Sequence, residues 1–259
     1  MKTSPLKTAL TIAGSDPTGG AGFQADLRTF HAMGVYGLSI PSVLTAQSTR
    51  GVHSIQEIQP EFFETQLDTL LQDIKPGALK TGMLYSSDIV KIVSGKCRKY
   101  SLSNLVIDPV MVSSTGVALV KDGVKEAIKE HLMPLAAVIT PNINEAAVLA
   151  GININGEKDM KEAAVKLKDC GAGAVIITGG HMKEKALDLL FDGEDFLSLE
   201  NDKLQGEFHG TGCVFSSVIT ACLALGYNVK EAFIKAKEFV WTAMRSAISP
   251  GKGMKILNF

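Results

Sequence analysis

Short β-branched or apolar runs alternate along this chain with longer amphipathic ones, and that alternation narrows the architecture more than any other feature. Thr8 to Ala13 precedes the amphipathic stretch Ala21 to Met33, and Leu38 to Ala46 follows. Ala78 to Thr81 then precedes Ser86 to Tyr100, and Leu105 to Ile107 precedes Lys121 to His131. The rhythm continues with Ala137 to Thr140, helices near Asn144 to Ala150 and Asp159 to Cys170, and a strand Ala174 to Thr178. A strand-helix-strand repeat of this kind predicts an α/β fold with a mostly parallel sheet and helices on both faces. Between Ala186 and Phe208 the runs Leu187 to Phe191 and Asp195 to Leu199 flank Asp192-Gly193, which predicts an antiparallel hairpin at the sheet edge. Helices near Thr211 to Ala224 and Lys230 to Ser249 close the pattern, separated by Gly226.

With 259 residues, 46% of them hydrophobic, the chain is long enough for a substantial core, and a single domain over residues 1–259 is expected. A formal net charge of -1 with interspersed signs offers no basic field, so nucleic acid and membrane partners are not expected. Met1 to Ala13 reads as a first buried strand because Asp16 and the glycines cut its apolar run short. No stretch approaches the roughly 18 to 20 apolar residues of a membrane span, and a cytoplasmic protein is expected. Cys97, Cys170, Cys213 and Cys222 form no CxxC pair, and the five histidines form no metal-binding spacing. Any metal is expected to be a magnesium ion arriving with a nucleotide.

Polar, glycine-rich segments follow the expected strands: Gly14 to Gly20, Gln47-Ser48-Thr49, Gly82-Met83, Asp108 to Met111, Thr140-Pro141-Asn142 and Gly179-Gly180-His181. Ligands of an open parallel sheet bind outside the carboxyl ends of its strands, so these segments should converge on one pocket. Any one of them taken alone is better read as turn and cap chemistry; the set points to a ligand. Gly20 to Ala25 matches GxGxxA, but no Asp or Glu occurs from Leu27 to Gln56 to hold a ribose, and no Walker A loop is present.

The sharpest local signal is His209-Gly210-Thr211-Gly212-Cys213, a glycine turn running into an apolar helix. Free backbone N–H groups and the positive end of the helix dipole make such a start an anion site. Cys213 lies in that first turn, where a thiol pKa is typically depressed, so it is read either as a proton acceptor or thiolate, or as a small packing residue.

These segments, with Ala13 to Asp26, Asp108-Pro109-Val110-Met111, Thr140 to Ala146 and His209 to Cys213 in order, resemble the motifs of the hydroxymethylpyrimidine kinase branch of ribokinase-like enzymes. The resemblance spans almost the whole chain. It implies a three-layer α/β/α sandwich and ATP-dependent phosphorylation of 4-amino-5-hydroxymethyl-2-methylpyrimidine, then of its monophosphate, in thiamin synthesis. It implies an anion hole at Gly210, Thr211 and Gly212, with Cys213 near the substrate hydroxymethyl group. Asn142 and Glu145 would order Mg²⁺ and phosphates, with Asp108 beside them; the plainer alternatives are an N-cap for Asn142, a solvated Glu145 and a turn at Asp108. Thr178, Gly180 and Thr211 would contact ATP, Thr178 standing where some relatives carry a lysine. Gln47 would read the aminopyrimidine edge, since an amide offers both a donor and an acceptor. Asp26 would add a polar contact or be an exposed helix carboxylate, and Gly14, Met83 and Val110 would line the ring, the last two being equally readable as core. A homodimer is expected. Pyridoxal kinase is the alternative activity, and a non-catalytic pyrimidine-binding protein the alternative class.

Overall fold

The computed structural model describes residues 6–113, 116, 118–180 and 185–259. The described strands form a sheet in the order β3-β2-β1-β4-β5-β6-β7-β8-β9. Its parallel centre is β2 (Tyr36–Ser48), β1 (Thr8–Gly14), β4 (Ala78–Thr81), β5 (Leu105–Ile107), β6 (Ala136–Ile139) and β7 (Val175–Ile177). The expected antiparallel hairpin is present as β8 (Ala186–Phe191) and β9 (Phe196–Asn201). Its connection is four residues long, because Asp192 Oδ1 accepts from the backbone N–H groups of both Glu194 and Asp195 at 2.9 and 2.8 Å.

The opposite edge corrects the sequence reading. Gln47 and Ser48 lie within β2, which outruns the parallel sheet and folds back antiparallel into β3 (Gly51–Glu57). Helix α2 (Pro60–Asp73), also not anticipated, buries Phe63, Leu67 and Leu71, a spacing of four that carries one helical stripe. The helix expected over Lys121 to His131 is shorter at its start: Gly123 adopts φ 82°, α4 spans Val124–Ala127, and a wider turn over Ile128–Leu132 continues it.

Strand alternation divides the core into two layers. Leu10, Ile12, Leu79, Leu105 and Ile107 pack with α2, α3 (Ser87–Lys99), α5 (Ile143–Ala150) and α6 (Glu157–Asp169). Ala9, Ala78, Val106 and Val138 face α1 (Gly22–Ala32), α7 (Thr211–Leu225) and α8 (Val229–Arg245). The buried α7 is apolar on most sides, and its packing carries the helix N-terminus to the carboxyl ends of the strands. The chain's tail returns there: β10 (Phe208–His209) pairs with β11 (Lys255–Ile256), and Gly253 and Met254 donate backbone hydrogen bonds to Thr49 at 3.1 and 2.9 Å. No described helix is long and apolar enough to cross a membrane.

Candidate active site

The polar segments do converge. Ser15 N donates to Val43 O at 3.0 Å and Thr45 N to Ser15 Oγ at 2.8 Å, which ties the loop after β1 to the β2–β3 hairpin. A Cβ on Gly14 would meet Val43 Cγ1 at 3.0 Å and Met83 Sδ at 3.1 Å, so glycine at this strand end lets both side chains sit over it without shifting. Val43, Met83 and Leu119, with Val110 packed against them, make a small apolar wall, and Ser42 Oγ fixes it by donating to the Met83 carbonyl at 2.6 Å.

Gly210 caps α7 in the left-handed region, φ 79°, and an added Cβ would lie 1.8 Å from Gly20 O. Both constraints select glycine and lock the loop after β1 against the α7 start. Thr211, Gly212 and Cys213 open the helix with no side-chain cap on their N–H groups, and Gly212 is exposed, with open space where a Cβ would stand. Unfilled helix donors that reach solvent are what an anion would bind.

Under this turn lies a buried charged cluster that the sequence reading did not single out. Lys80 is fully buried; its position in β4, on the same face as Ala78, aims it at α1 and α7. Its Nζ donates to Asp26 Oδ1 at 2.7 Å and lies 3.6 Å from Asp108 Oδ2. Burial works against the lysine's charge, but the carboxylates of Asp26 and Asp108 outweigh it and raise its pKa. Asp26 also accepts from Thr11 Oγ1 at 2.5 Å and Ser217 Oγ at 2.7 Å, and it is wholly buried. This corrects the expectation for Asp26: its oxygens are occupied beneath the pocket, and it is neither exposed nor on the wall. A lysine in the middle of an otherwise apolar central strand was the available signal.

The thiol of Cys213 is also corrected. Burial pushes it up to about 12, with Lys80 pulling the other way and Asp108 and Asp26 adding to the rise. Desolvation therefore overrides the helix terminus, and the resting thiol is protonated at neutral pH.

Asp108 is buried at the end of β5, where Ser216 Oγ donates to it at 2.8 Å; burial raises its pKa although Lys80 and Ser216 oppose the rise. Asn142 is the N-cap of α5 and forms a reciprocal capping box with Glu145, each backbone N–H meeting the other side chain at 2.9 Å. Glu145 is not solvated: burial, then the like charge of Asp108, push its carboxyl up to about 8. Thr178 bridges to Asn142 through its backbone, and Gly179 N donates to Asp188 Oδ1 at 2.8 Å. Asp188 is held in turn by Lys237 Nζ at 2.9 Å, which positions the turn carrying Thr178 and the exposed Gly180. His181 lies outside the described residues. Among the described residues no group of three or more His, Cys, Asp or Glu gathers for a metal.

At the far side of the pocket Gln47 Nε2 lies 3.0 Å from His209 Nε2, and that ring nitrogen lies 2.8 Å from Asp16 Oδ2. Burial would raise the Asp16 pKa, but hydrogen bonds from His209 and the Thr18 backbone outweigh it and hold the carboxyl below its usual value.

A glycine-started anion cradle, buried carboxylates and an apolar wall at the carboxyl edge of one sheet fit phosphoryl transfer to a small molecule. The family pattern described as phosphomethylpyrimidine kinase matches residues 16–258. The chain belongs to that family. A hydroxymethylpyrimidine/phosphomethylpyrimidine kinase of Bacillus subtilis is 41% identical over 95% of this chain and 92% of its own length. The thiamine biosynthesis bifunctional protein ThiED of Geobacter sulfurreducens is 43% identical over 98% of this chain, which spans 52% of that longer protein. Among solved structures, an ADP complex of Bacillus subtilis pyridoxal kinase superposes with a TM-score of 0.90 at 40% identity, covering 98% of this chain and 97% of that one. The chain is thus a kinase with the ribokinase-like fold.

Proposed function

We propose that this phosphomethylpyrimidine kinase family member transfers the γ-phosphoryl of ATP to 4-amino-5-hydroxymethyl-2-methylpyrimidine and then to its monophosphate, in thiamin synthesis. The observation that carries the reading is the α7 start, whose uncapped N–H groups at Thr211, Gly212 and Cys213 open between the apolar wall and the carboxylates. Gln47, Gly14, Met83 and Val110 form the substrate side, and Asn142, Glu145, Thr178, Gly180 and Thr211 the nucleotide side.

The substrate hydroxyl attacks phosphorus in line, the new P–O bond forms as the bond to the ADP oxygen breaks, and the backbone N–H groups of the cradle hold the developing charge. A loose transition state loses the hydroxyl proton late, to an oxygen of the transferred phosphoryl group, so a protonated Cys213 is compatible with the step. Cys213 then serves as a neutral contact to the hydroxymethyl group.

Asp108 and Glu145 fit a magnesium site, since both are buried carboxylates whose mutual repulsion a hard dication would relieve. When bound, Mg²⁺ would neutralise phosphate charge.

Pyridoxal is the second acceptor to test, because the fold matches a pyridoxal kinase so closely over its whole length. Purified protein is incubated with Mg-ATP and, in turn, the pyrimidine alcohol, its monophosphate and pyridoxal, with ADP release and product mass measured. Mono- and diphosphate products support the proposal; turnover of pyridoxal alone moves the assignment to the vitamin B6 alcohols.

A further inference from the structure

The contact between Gln47 and His209 contains a conflict that decides an orientation. Asp16 accepts on both oxygens, from Thr18 N at 2.9 Å, Thr18 Oγ1 at 2.9 Å and Ala21 N at 2.8 Å. A carboxylate so surrounded by donors is an acceptor toward His209 as well, so the proton between them sits on His209 Nε2. The other ring nitrogen agrees: Nδ1 is buried and meets no partner among the described residues, and a proton there would be a buried donor left unpaired. An N–H at Nε2 cannot face the amide nitrogen of Gln47, which lies 3.0 Å away.

Turning the Gln47 amide by half a rotation exchanges its oxygen and nitrogen without altering the shape of the side chain. The oxygen then accepts from His209 Nε2–H alongside Asp16. The nitrogen takes the place 3.4 Å from Thr45 Oγ1. That hydroxyl gives its own proton to Ser15 O at 2.8 Å, which leaves a lone pair toward Gln47. Within this network every donor then has an acceptor except the second Gln47 N–H, which is left for the pocket.

We propose that His209 is a positioning residue for substrate recognition: anchored by Asp16, it pins the Gln47 amide oxygen, so that Gln47 presents an N–H to the pocket and selects ligands with an aromatic ring nitrogen there. The inference rests on the pocket taking the pyrimidine alcohol, and it names the group that Gln47 offers to that ring. The tail strengthens the arrangement, since β11 pairs with the strand carrying His209 and Gly253 packs on Thr49 beside the Gln47 hairpin.

Wild type, His209→Leu and His209→Gln are compared on the pyrimidine alcohol and on its two analogues in which one ring nitrogen is replaced by C–H. For the pyrimidine, His209→Leu is expected to raise KM about tenfold, the worth of one hydrogen bond, with kcat and the KM for ATP little changed. His209→Gln, which keeps an N–H at the same reach, should recover most of the loss. One of the two analogues should be indifferent to His209→Leu. Equal losses on all three substrates would mean that His209 only supports the loop, and would overturn the proposal. Imidazole ¹⁵N spectra of the ligand-free protein test it without any substrate: a proton on His209 Nε2 is expected, and an unprotonated Nε2 overturns it. Absence of wild-type turnover on the pyrimidine would instead count against the proposed function, leaving the spectra to decide the orientation.

Discussion

Cys213 and Lys80 sit side by side in the site's electrostatics, and each makes a separable prediction. Cys213, pushed up to about 12, should react slowly with iodoacetamide at pH 7.5 compared with free cysteine. Its labelling rate, followed by peptide mass spectrometry, should climb about tenfold per pH unit between pH 9 and 11, because only the thiolate fraction reacts. A rate already level below pH 8 would restore the depressed thiol that the helix terminus alone predicts. Lys80 is the second case. Lys80→Met removes the cation between Asp26 and Asp108 and leaves a carboxylate buried without its partner. Urea denaturation should show a loss of about 3 to 5 kcal/mol, the usual cost of breaking a buried pair from one side.

At the level of elements, the start of α7 separates shape from chemistry. Gly210→Ala places a methyl on Gly20 O in a left-handed backbone, so both the fold of the β1 loop and turnover should suffer, turnover by about 10²-fold or more. Gly212→Ala meets nothing and adds a good helix former, so the melting temperature should hold or rise while the KM for ATP increases. Equal damage from both substitutions would argue that the turn has only a structural role. Helices α2 and α3 give a pH test. Asp68 is held down to about 2 by hydrogen bonds from Lys96, then Tyr100, and by Lys99, against an ordinary value of 3.8. A depressed carboxyl stabilises the fold above its unfolded pKa and loses that contribution as pH falls through the folded one. The melting-temperature advantage of wild type over Asp68→Asn should therefore be constant from pH 7 to about 5, shrink below about 4 and vanish only below about 2.

Across the whole molecule, chain order and space agree wherever a run is long and periodic. The parallel strands, α1, α3 and α5 to α8 were readable because alternating apolar runs and helical stripes have different periods. Even α2 carried a stripe, Phe63, Leu67 and Leu71, that only needed counting. The β2–β3 edge was harder, since Gln47-Ser48-Thr49 looks like any polar turn until β2 is seen to run on past its parallel partners.

The residues of the site were legible as residue types in motifs: Gly210 to Cys213 as an anion turn, Asn142 and Glu145 as a pair, Gln47 as an amide with two faces. What each one does in its protonation state was not, because pKa values follow from what surrounds a group across the fold. The thiol of Cys213 is raised by side chains more than a hundred positions away in the chain, and Asp26 is taken up by Lys80, Thr11 and Ser217 from three other elements. Local sequence specifies backbone geometry and donor inventory, which act over a turn or two. Desolvation and buried charge pairing act through space, and only the packed sheet decides which distant groups share the low-dielectric interior.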